Sequence, residues 1–553
     1  MSLKVIYVED TAADVEVLQE AFTTANAGSP EWSQLVLIPV VHPSALPAAL
    51  GEYPDVVLAD VMFLAAGASL GTRPVDHLDE IIQHVKNWDR MSPHGFPTPV
   101  IAYTGTGPVT LKSCLDRRGH LYDIWDKLSA GADYVSWRFQ QLARELPRYR
   151  PDATIQKLVA AMPQANCPNW HPHVLKMVKR YGEGQTEYEQ VQNCSDPLQS
   201  ILTAVCPKHA VALMALWSVL VKSEPLLRAA SPRVRGIARH SINVFWLGYW
   251  LINHPLLQNA MRDLWSKMIQ NRVQTSIFNS SDPLVGINTV WVLASVFHDA
   301  GKYHEKGKAV TKASQEFYRE FASLSLGNVS WAPNKPRALP KSLQDLLCAL
   351  RQTRSDPLVK QLTAHIQDTW SHEIPDHGAV AAAHLVNVCA DTSTPLLAAY
   401  AAEAARATLL HSSLPGAFDR IPKDLRGESP HLEWERDPIA SLLLFCDQIQ
   451  TWDRHDPNDH KRDYPDRAEL SFLELTPSGG KITLKGCVNY IAPTRVDMYP
   501  ELRTEIAEAL NKVLLEKPKD TLLHILEAGK WPFSVHLDCA LSGERLPMDM
   551  SFD

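Results

Sequence analysis

The residues with the clearest chemical potential in this sequence are histidines and aspartates that recur in the order H…HD…H…H…D. His298 and Asp299 stand together in Phe297-His298-Asp299-Ala300-Gly301-Lys302, His240 precedes them, and His377, His411 and Asp447 follow. Imidazole and carboxylate offered side by side suit borderline or hard divalent cations such as Fe, Mn, Zn or Mg. Gly301 and Lys302 then leave the helix, with an ammonium near whatever such a cation holds. A His-Asp pair alone is a chance event, at about one per few hundred dipeptides. With 22 histidines in the chain, only order and setting distinguish these positions.

The setting is helical. The apolar run Val290–Val296 leads into His298, and His240 opens the apolar stretch Ile242–Ile252, which contains Phe245, Trp246, Leu247, Tyr249 and Trp250. His377 heads a helix pattern, and His411 ends the Ala-rich pattern from Leu396 to Leu410. Asp447 lies in Ala440–Ile449, a pattern apolar almost all round. Such a helix is buried, and a buried carboxylate needs a metal or a cationic partner.

A second set of candidates sits near the amino terminus. Val5–Val8, Val56–Ala59 and Pro99–Tyr103 read as short buried strands, and they deliver Glu9 and Asp10, Asp60, and Thr104 to their carboxyl ends. Val15, Leu18, Ala21 and Phe22 share one face of an intervening helix, and Asp133–Ser136 reads as a further strand after a helical Leu121–Ala130. Strands alternating with helices predict a parallel sheet, whose working edge is the carboxyl ends of its strands.

The chain has 553 residues, which predicts about three or four domains. The reading divides it into an α/β domain over 1–147, a helical connector over 148–230, an all-α domain over 231–457 and a small α+β domain over 458–553. Lysines and prolines over about 304–370 mark an insertion of lid type. Leu470–Leu475 and Lys481–Val488 flank a Pro477-Ser478-Gly479-Gly480 turn as a β-hairpin. Glu501–Leu515 and Thr521–Leu526 read as helices, and Ser534–Leu541 as a strand. A net charge of -8 argues against general nucleic-acid binding. The nine scattered cysteines contain no C-x-x-C and read as reduced thiols. The start of the chain reaches Glu9 and Asp10 too soon for a signal peptide, and the apolar run Ala210–Val221 is shorter than the ~18 residues of a membrane helix. The expectation is a cytoplasmic protein with no membrane partner.

The amino-terminal pattern, with Gly131-Ala132-Asp133-Tyr134-Val135-Ser136, resembles the receiver domain of bacterial response regulators, a flavodoxin-like fold. That resemblance implies Mg²⁺ held by Glu9 and Asp10, phosphoryl transfer to Asp60, sensing by Thr104, and a histidine kinase or other signalling partner. Trp137-Arg138 stands where the family has its lysine. The later pattern resembles the HD-domain metal-dependent phosphohydrolases, and His298-Asp299-Ala300-Gly301-Lys302 matches the H-D-x-G-K segment of their binuclear HD-GYP branch. By that resemblance His240, His298, Asp299 and Asp447 hold one metal, and His377 and His411 add a second with Asp299 bridging. Lys302 then contacts the phosphate of a nucleotide or cyclic-dinucleotide substrate. His411-Ser412 replaces the branch's two adjacent histidines, and no GYP segment follows. The alternatives are a non-catalytic signalling scaffold and a mononuclear nucleotide or alarmone hydrolase. A homodimer fits any of the three.

Overall fold

A computed structural model describes residues 3–26, 35–52, 54–60, 62–63, 75–91, 98, 100–104 and 123–126 of the amino-terminal part. Beyond it, residues 153–183, 187–230, 236–272, 275–278, 282–302, 338–353, 357–371, 376–389, 395–419, 432–450, 467–478, 481–491, 521–522, 525–526, 532–541 and 544–552 are described. The chain divides into two compact units, Met1–Ala153 and Thr154–Asp553.

The first unit is built on a five-stranded parallel sheet. Its strands are β1 (Leu3–Val8), β2 (Leu35–Val40), β3 (Val56–Ala59), β6 (Val100–Thr104) and β7 (Asp123–Asp126), in the order β2-β1-β3-β6-β7. The two-residue strands β4 (Met62–Phe63) and β5 (Val75–Asp76) pair separately. The run Val56–Ala59 is buried at every position, as expected of a strand covered on both faces. The strand order reverses direction between β1 and β3, and ligand crevices of doubly wound sheets open at such switch points. Strand β2 escapes a reading of the sequence alone. Pro39 cannot donate to a ladder, but β2 is an edge strand, where proline is tolerated.

One expectation fails here. Asp123–Asp126 lies inside the predicted helix Leu121–Ala130, yet it pairs with β6 in register Ile101↔Asp123 to Thr104↔Asp126. Sheet pairing decides a four-residue segment in which Ile124 and Trp125 favour strand in any case. The strand expected at Asp133–Ser136, and Trp137 after it, lie outside the described residues.

The second unit is mostly helical and closes on a small sheet. Its described helices run from Ala153–Ala160 to Pro438–Ile449, and one continuous apolar core joins them to the sheet. The core takes in the expected connector through Val174, Leu198 and Trp217, and the expected insertion through Leu343, Leu362 and Trp370. No described helix is long and apolar enough to cross a membrane. Helix Pro283–Phe297 lies at the centre, with residues Gly286–Phe297 all buried. Asp282 starts it by accepting the Leu284 amide at 3.0 Å, and Pro283 occupies the first turn, where no amide partner is needed. Helix Ile237–Asn253 packs beside it and is buried throughout, with Trp291 Nε1 donating to the Phe245 carbonyl at 2.9 Å.

Strands β8 (Arg467–Ser478) and β9 (Lys481–Ile491) form the predicted hairpin; β10 (Ser534–Leu541) runs parallel to β9, and β11 (Glu544–Phe552) closes the order β11-β10-β9-β8. The helix read at Glu501–Leu515 lies outside the described residues. The described cysteines are all free thiols.

Candidate metal centre

Five helices or helix ends bring the six predicted residues of the second unit together. His240 comes from helix Ile237–Asn253, His298 and Asp299 from the end of Pro283–Phe297, and His377 from the start of His377–Val388. His411 lies inside Pro395–Asp419 and Asp447 near the end of Pro438–Ile449. Their rings form a row, with centroid separations of 5.3 Å for His240–His298, 5.0 Å for His298–His411 and 5.8 Å for His377–His411. Potential ligand atoms of His240, His298 and Asp447 lie within 4.8 Å of one another, and so do those of His298, Asp299 and His411.

The two oxygens of Asp299 face different neighbours. Its Oδ2 lies 3.8 Å from His240 Nε2 and accepts from Lys302 Nζ, while its Oδ1 lies 3.5 Å from His298 Nε2 and 3.7 Å from His377 Nε2. A carboxylate so oriented can serve two cation positions. Lys302, read from the sequence as a phosphate contact, is paired here with that carboxylate. Gly301 lets the chain pass close against the start of helix His377–Val388, since a Cβ there would overlap the His377 carbonyl.

The imidazoles are all oriented from behind. Nδ1 donates to the Ser295 carbonyl at 2.7 Å in His298, to the Thr408 carbonyl at 2.6 Å in His411, and to Gln450 Oε1 in His240; in His377 it meets Ser412 Oγ at 3.2 Å. An imidazole whose Nδ1 is a donor keeps its lone pair on Nε2, as metal-binding histidines require. His298 Nε2 is buried without a hydrogen-bond partner. His240 Nε2 meets Asp447 Oδ1 at 2.7 Å, two acceptors that only a shared proton or a shared cation reconciles. An orphaned imidazole nitrogen and an imidazole lone pair set against a carboxylate both fit a cation-binding role.

Protonation points the same way. Burial drives the His298 imidazole down to about 3, against the opposing pull of Asp299, and drives His411 down to about 4. Burial also opposes ionisation of Asp299, but His298, Lys302, His240 and His377 outweigh it and hold the carboxyl well below its ordinary range. At neutral pH His298 and His411 are therefore neutral imidazoles and Asp299 an anionic carboxylate, the forms that bind metal.

A buried charge cluster holds two of the contributing helices. Arg406 donates to Asp437 through Nε at 2.8 Å, and Arg272 makes paired contacts of 2.6 and 2.8 Å with Glu403. Arg272 Nη2 also reaches Asp437 at 3.4 Å. Glu403 and Arg406 sit on the His411 helix, and Asp437 precedes the Asp447 helix, so the four charges tie those two helices together.

In the first unit, Glu9, Asp14 and Asp60 bring carboxylate oxygens within 4.8 Å of one another. Glu9 is 1% exposed; Tyr7 Oη donates to its Oε2 at 2.7 Å and the Thr11 amide to its Oε1 at 2.9 Å. Burial, and then Glu9 itself, push the Tyr7 hydroxyl far up, so it stays a donor. Asp10, read from the sequence as the partner of Glu9, accepts from Thr11 Oγ1 at 3.3 Å, and Asp14 from the following helix joins Glu9 and Asp60. Thr104 is the last residue of β6.

Sequence reasoning misses Asp14, Gln450 and Asp376. Gln450 follows Asp447 by three residues, a spacing that repeats a helix face. Asp376 directly precedes His377 at a helix start, the signature of an N-cap. No family model matches the chain, and no curated protein matches its sequence.

Proposed function

We propose that this protein is a metal-dependent phosphohydrolase of HD type, most simply a phosphodiesterase acting on a nucleotide or cyclic dinucleotide, and that its first unit is a receiver-like regulatory module. The observation that carries the reading is the shared orientation of four imidazoles, each fixed through Nδ1, around the two-sided carboxylate of Asp299. His240, His298, Asp299 and Asp447 would hold one divalent cation, and Asp299, His411 and His377 a second. Bound there, the metals would supply an activated water and Lewis-acid stabilisation of the leaving oxygen. The residues themselves orient and exclude. Ser295, Thr408 and Gln450 hold the rings, and the buried helices keep bulk water from the inner ligands. Lys302 can exchange its Asp299 contact for a substrate phosphate, which places positive charge at the reacting group.

The strand-end cluster of Glu9, Asp14 and Asp60 supports the regulatory half. It lies at the switch point of a parallel sheet, with Asp60 as the phosphoryl acceptor, Mg²⁺ as its cation and a histidine kinase as its donor.

Metal analysis of the full chain, purified after Mn or Fe supplementation, tests the catalytic half. About two metals per chain and cyclic-dinucleotide turnover that disappears in Asp299→Ala are expected. One metal per chain with turnover confined to nucleotides would favour the mononuclear hydrolase, which the compact His240–His298–Asp447 group also supports. No metal at all would sink both enzyme readings and leave the scaffold. Labelling by acetyl phosphate that survives Asp60→Ala would remove Asp60 as acceptor.

A further inference from the structure

Behind His377 lies a hydrogen-bonded group that the metal ligands do not account for. Asp376 is 8% exposed and caps helix His377–Val388 by accepting the Ala379 amide at 3.1 Å. Its carboxylate also receives Ser413 Oγ at 2.6 Å and Ser412 Oγ at 3.2 and 3.4 Å, and it faces His365 Nε2 at 3.7 Å. One carboxylate therefore joins three helices: Pro357–Ser371, His377–Val388 and Pro395–Asp419.

Ser412 stands at the turning point of this group. A carboxylate only accepts, so the Ser412 hydroxyl donates to Asp376 and leaves its oxygen lone pairs for His377 Nδ1, 3.2 Å away. His377 Nε2 then faces Asp299 Oδ1 with its lone pair forward. The backbone geometry is specific to this contact. A Cβ on Gly378 would meet Ser412 Cβ at 2.5 Å and the Thr408 carbonyl at 2.7 Å, so only glycine lets the two helices approach closely enough. The other three rings need no such arrangement, since His298 and His411 use carbonyls of their own helices and His240 a glutamine side chain. His377 also differs in exposure: its side chain is 18% accessible, whereas those of His240 and His298 are fully buried.

We infer that Ser412 is a positioning residue: with Asp376 it forms a carboxylate–hydroxyl–imidazole relay that fixes the Nε2-accepting tautomer of His377 and thereby sets the affinity of the second, more open cation position. The inference rests on the proposed binuclear site and deepens it. The enclosed position of His240, His298, Asp299 and Asp447 shares the Asp299 carboxylate with the second position but takes no ligand from the relay.

The test is Mn²⁺ titration of the full metal-stripped chain by calorimetry, with ¹⁵N-histidine NMR to read the His377 tautomer. In Ser412→Ala the tighter Mn²⁺ should bind unchanged while the weaker one loses about 10- to 100-fold in affinity, the range for an outer partner of a metal ligand. The His377 signal should change from a single Nδ1–H form to a mixture of tautomers. Ser412→Thr keeps the hydroxyl and should restore both. A second Mn²⁺ that binds Ser412→Ala as tightly as the parent, or an unchanged tautomer, overturns the inference. A parent chain that binds no Mn²⁺ overturns the binuclear reading itself, and the two failures are thus distinct. Loss of both metals in Ser412→Ala, with Ser412→Thr failing to restore them, would assign Ser412 to general packing and would also refute the relay.

Discussion

The protein carries two groups of ligand-type side chains, and they are built in opposite ways. In the first unit, Glu9 and Asp60 follow adjacent parallel strands, and Asp14 comes from the helix directly after β1, so the backbone topology of one sheet edge gathers all three. In the second unit, the ligands come from five helices, and His240 and Asp447 meet across 207 residues of chain. The first group offers only oxygen, with Asp14 and Asp60 partly open to water. Hard, exchangeable ions such as Mg²⁺ prefer such sites. The second offers imidazole as well, from rings 0 to 2% exposed in His240, His298 and His411. Oxygen at a strand edge suits a switch that loads and unloads; nitrogen inside a helical core suits a cation that stays.

The sharpest break in that contrast is His298→Ala. His298 belongs to the proposed ligand set of the enclosed cation, so its removal should lower metal content by about one per chain. Turnover should fall by about 10³-fold or more, corresponding to the several kcal/mol that metal stabilisation supplies. Asp60→Ala should leave the tightly bound metal, measured by elemental analysis, unchanged.

Arg406→Ala should come next. It leaves the buried Asp437 without its closest cation, at a cost of about 3–5 kcal/mol. Calorimetry of the full chain should show the transition of the second unit lowered and that of the first unmoved. Equal shifts of both would mean that the two units unfold together.

Acid should separate the units further. His298 and His411 have folded pKa values of about 3 and about 4, below the ordinary 6.5. The unfolded chain therefore takes up protons first. Neither group affects stability above pH ~6.5, and each subtracts from it as pH falls toward its folded value. At pH 5 the loss is about 2 kcal/mol for each. Bound Mn²⁺ should delay that loss, because it holds the imidazoles neutral. Acid titration by circular dichroism, with and without Mn²⁺, checks both statements.

The smallest effect should come from Tyr7→Phe, which removes one hydrogen bond to buried Glu9. A loss of about 1–2 kcal/mol is expected. It should appear in the first unit alone, with metal content and turnover of the second intact.

Much of both sites is legible in the sequence. The strand-end placement of Glu9 and Asp60 follows from short apolar runs that end in acids. The apolar settings of His240, His298 and Asp447 follow from helix patterns with no polar face. Local pattern is less secure at Asp123–Asp126, where pairing with β6 overrides a helical reading, and at Asp14, which the strand-end pattern does not single out. Ser412 shows the same limit. In the sequence it is marked only as a departure from the pattern the chain resembles, and in the fold it is the hydroxyl between Asp376 and His377.

The sequence by itself determined which helices must be buried and that Val5–Val8, Val56–Ala59 and Pro99–Tyr103 are strands of a parallel sheet, because residue type and hydrophobic period act over a few residues. Only the tertiary structure decided that four rings turn the same nitrogen inward, that Asp299 faces two ways, and that Asp14 joins Glu9 and Asp60. Asp299 meets His240 and His377 only because helices distant in sequence pack together, and no local pattern encodes such an approach.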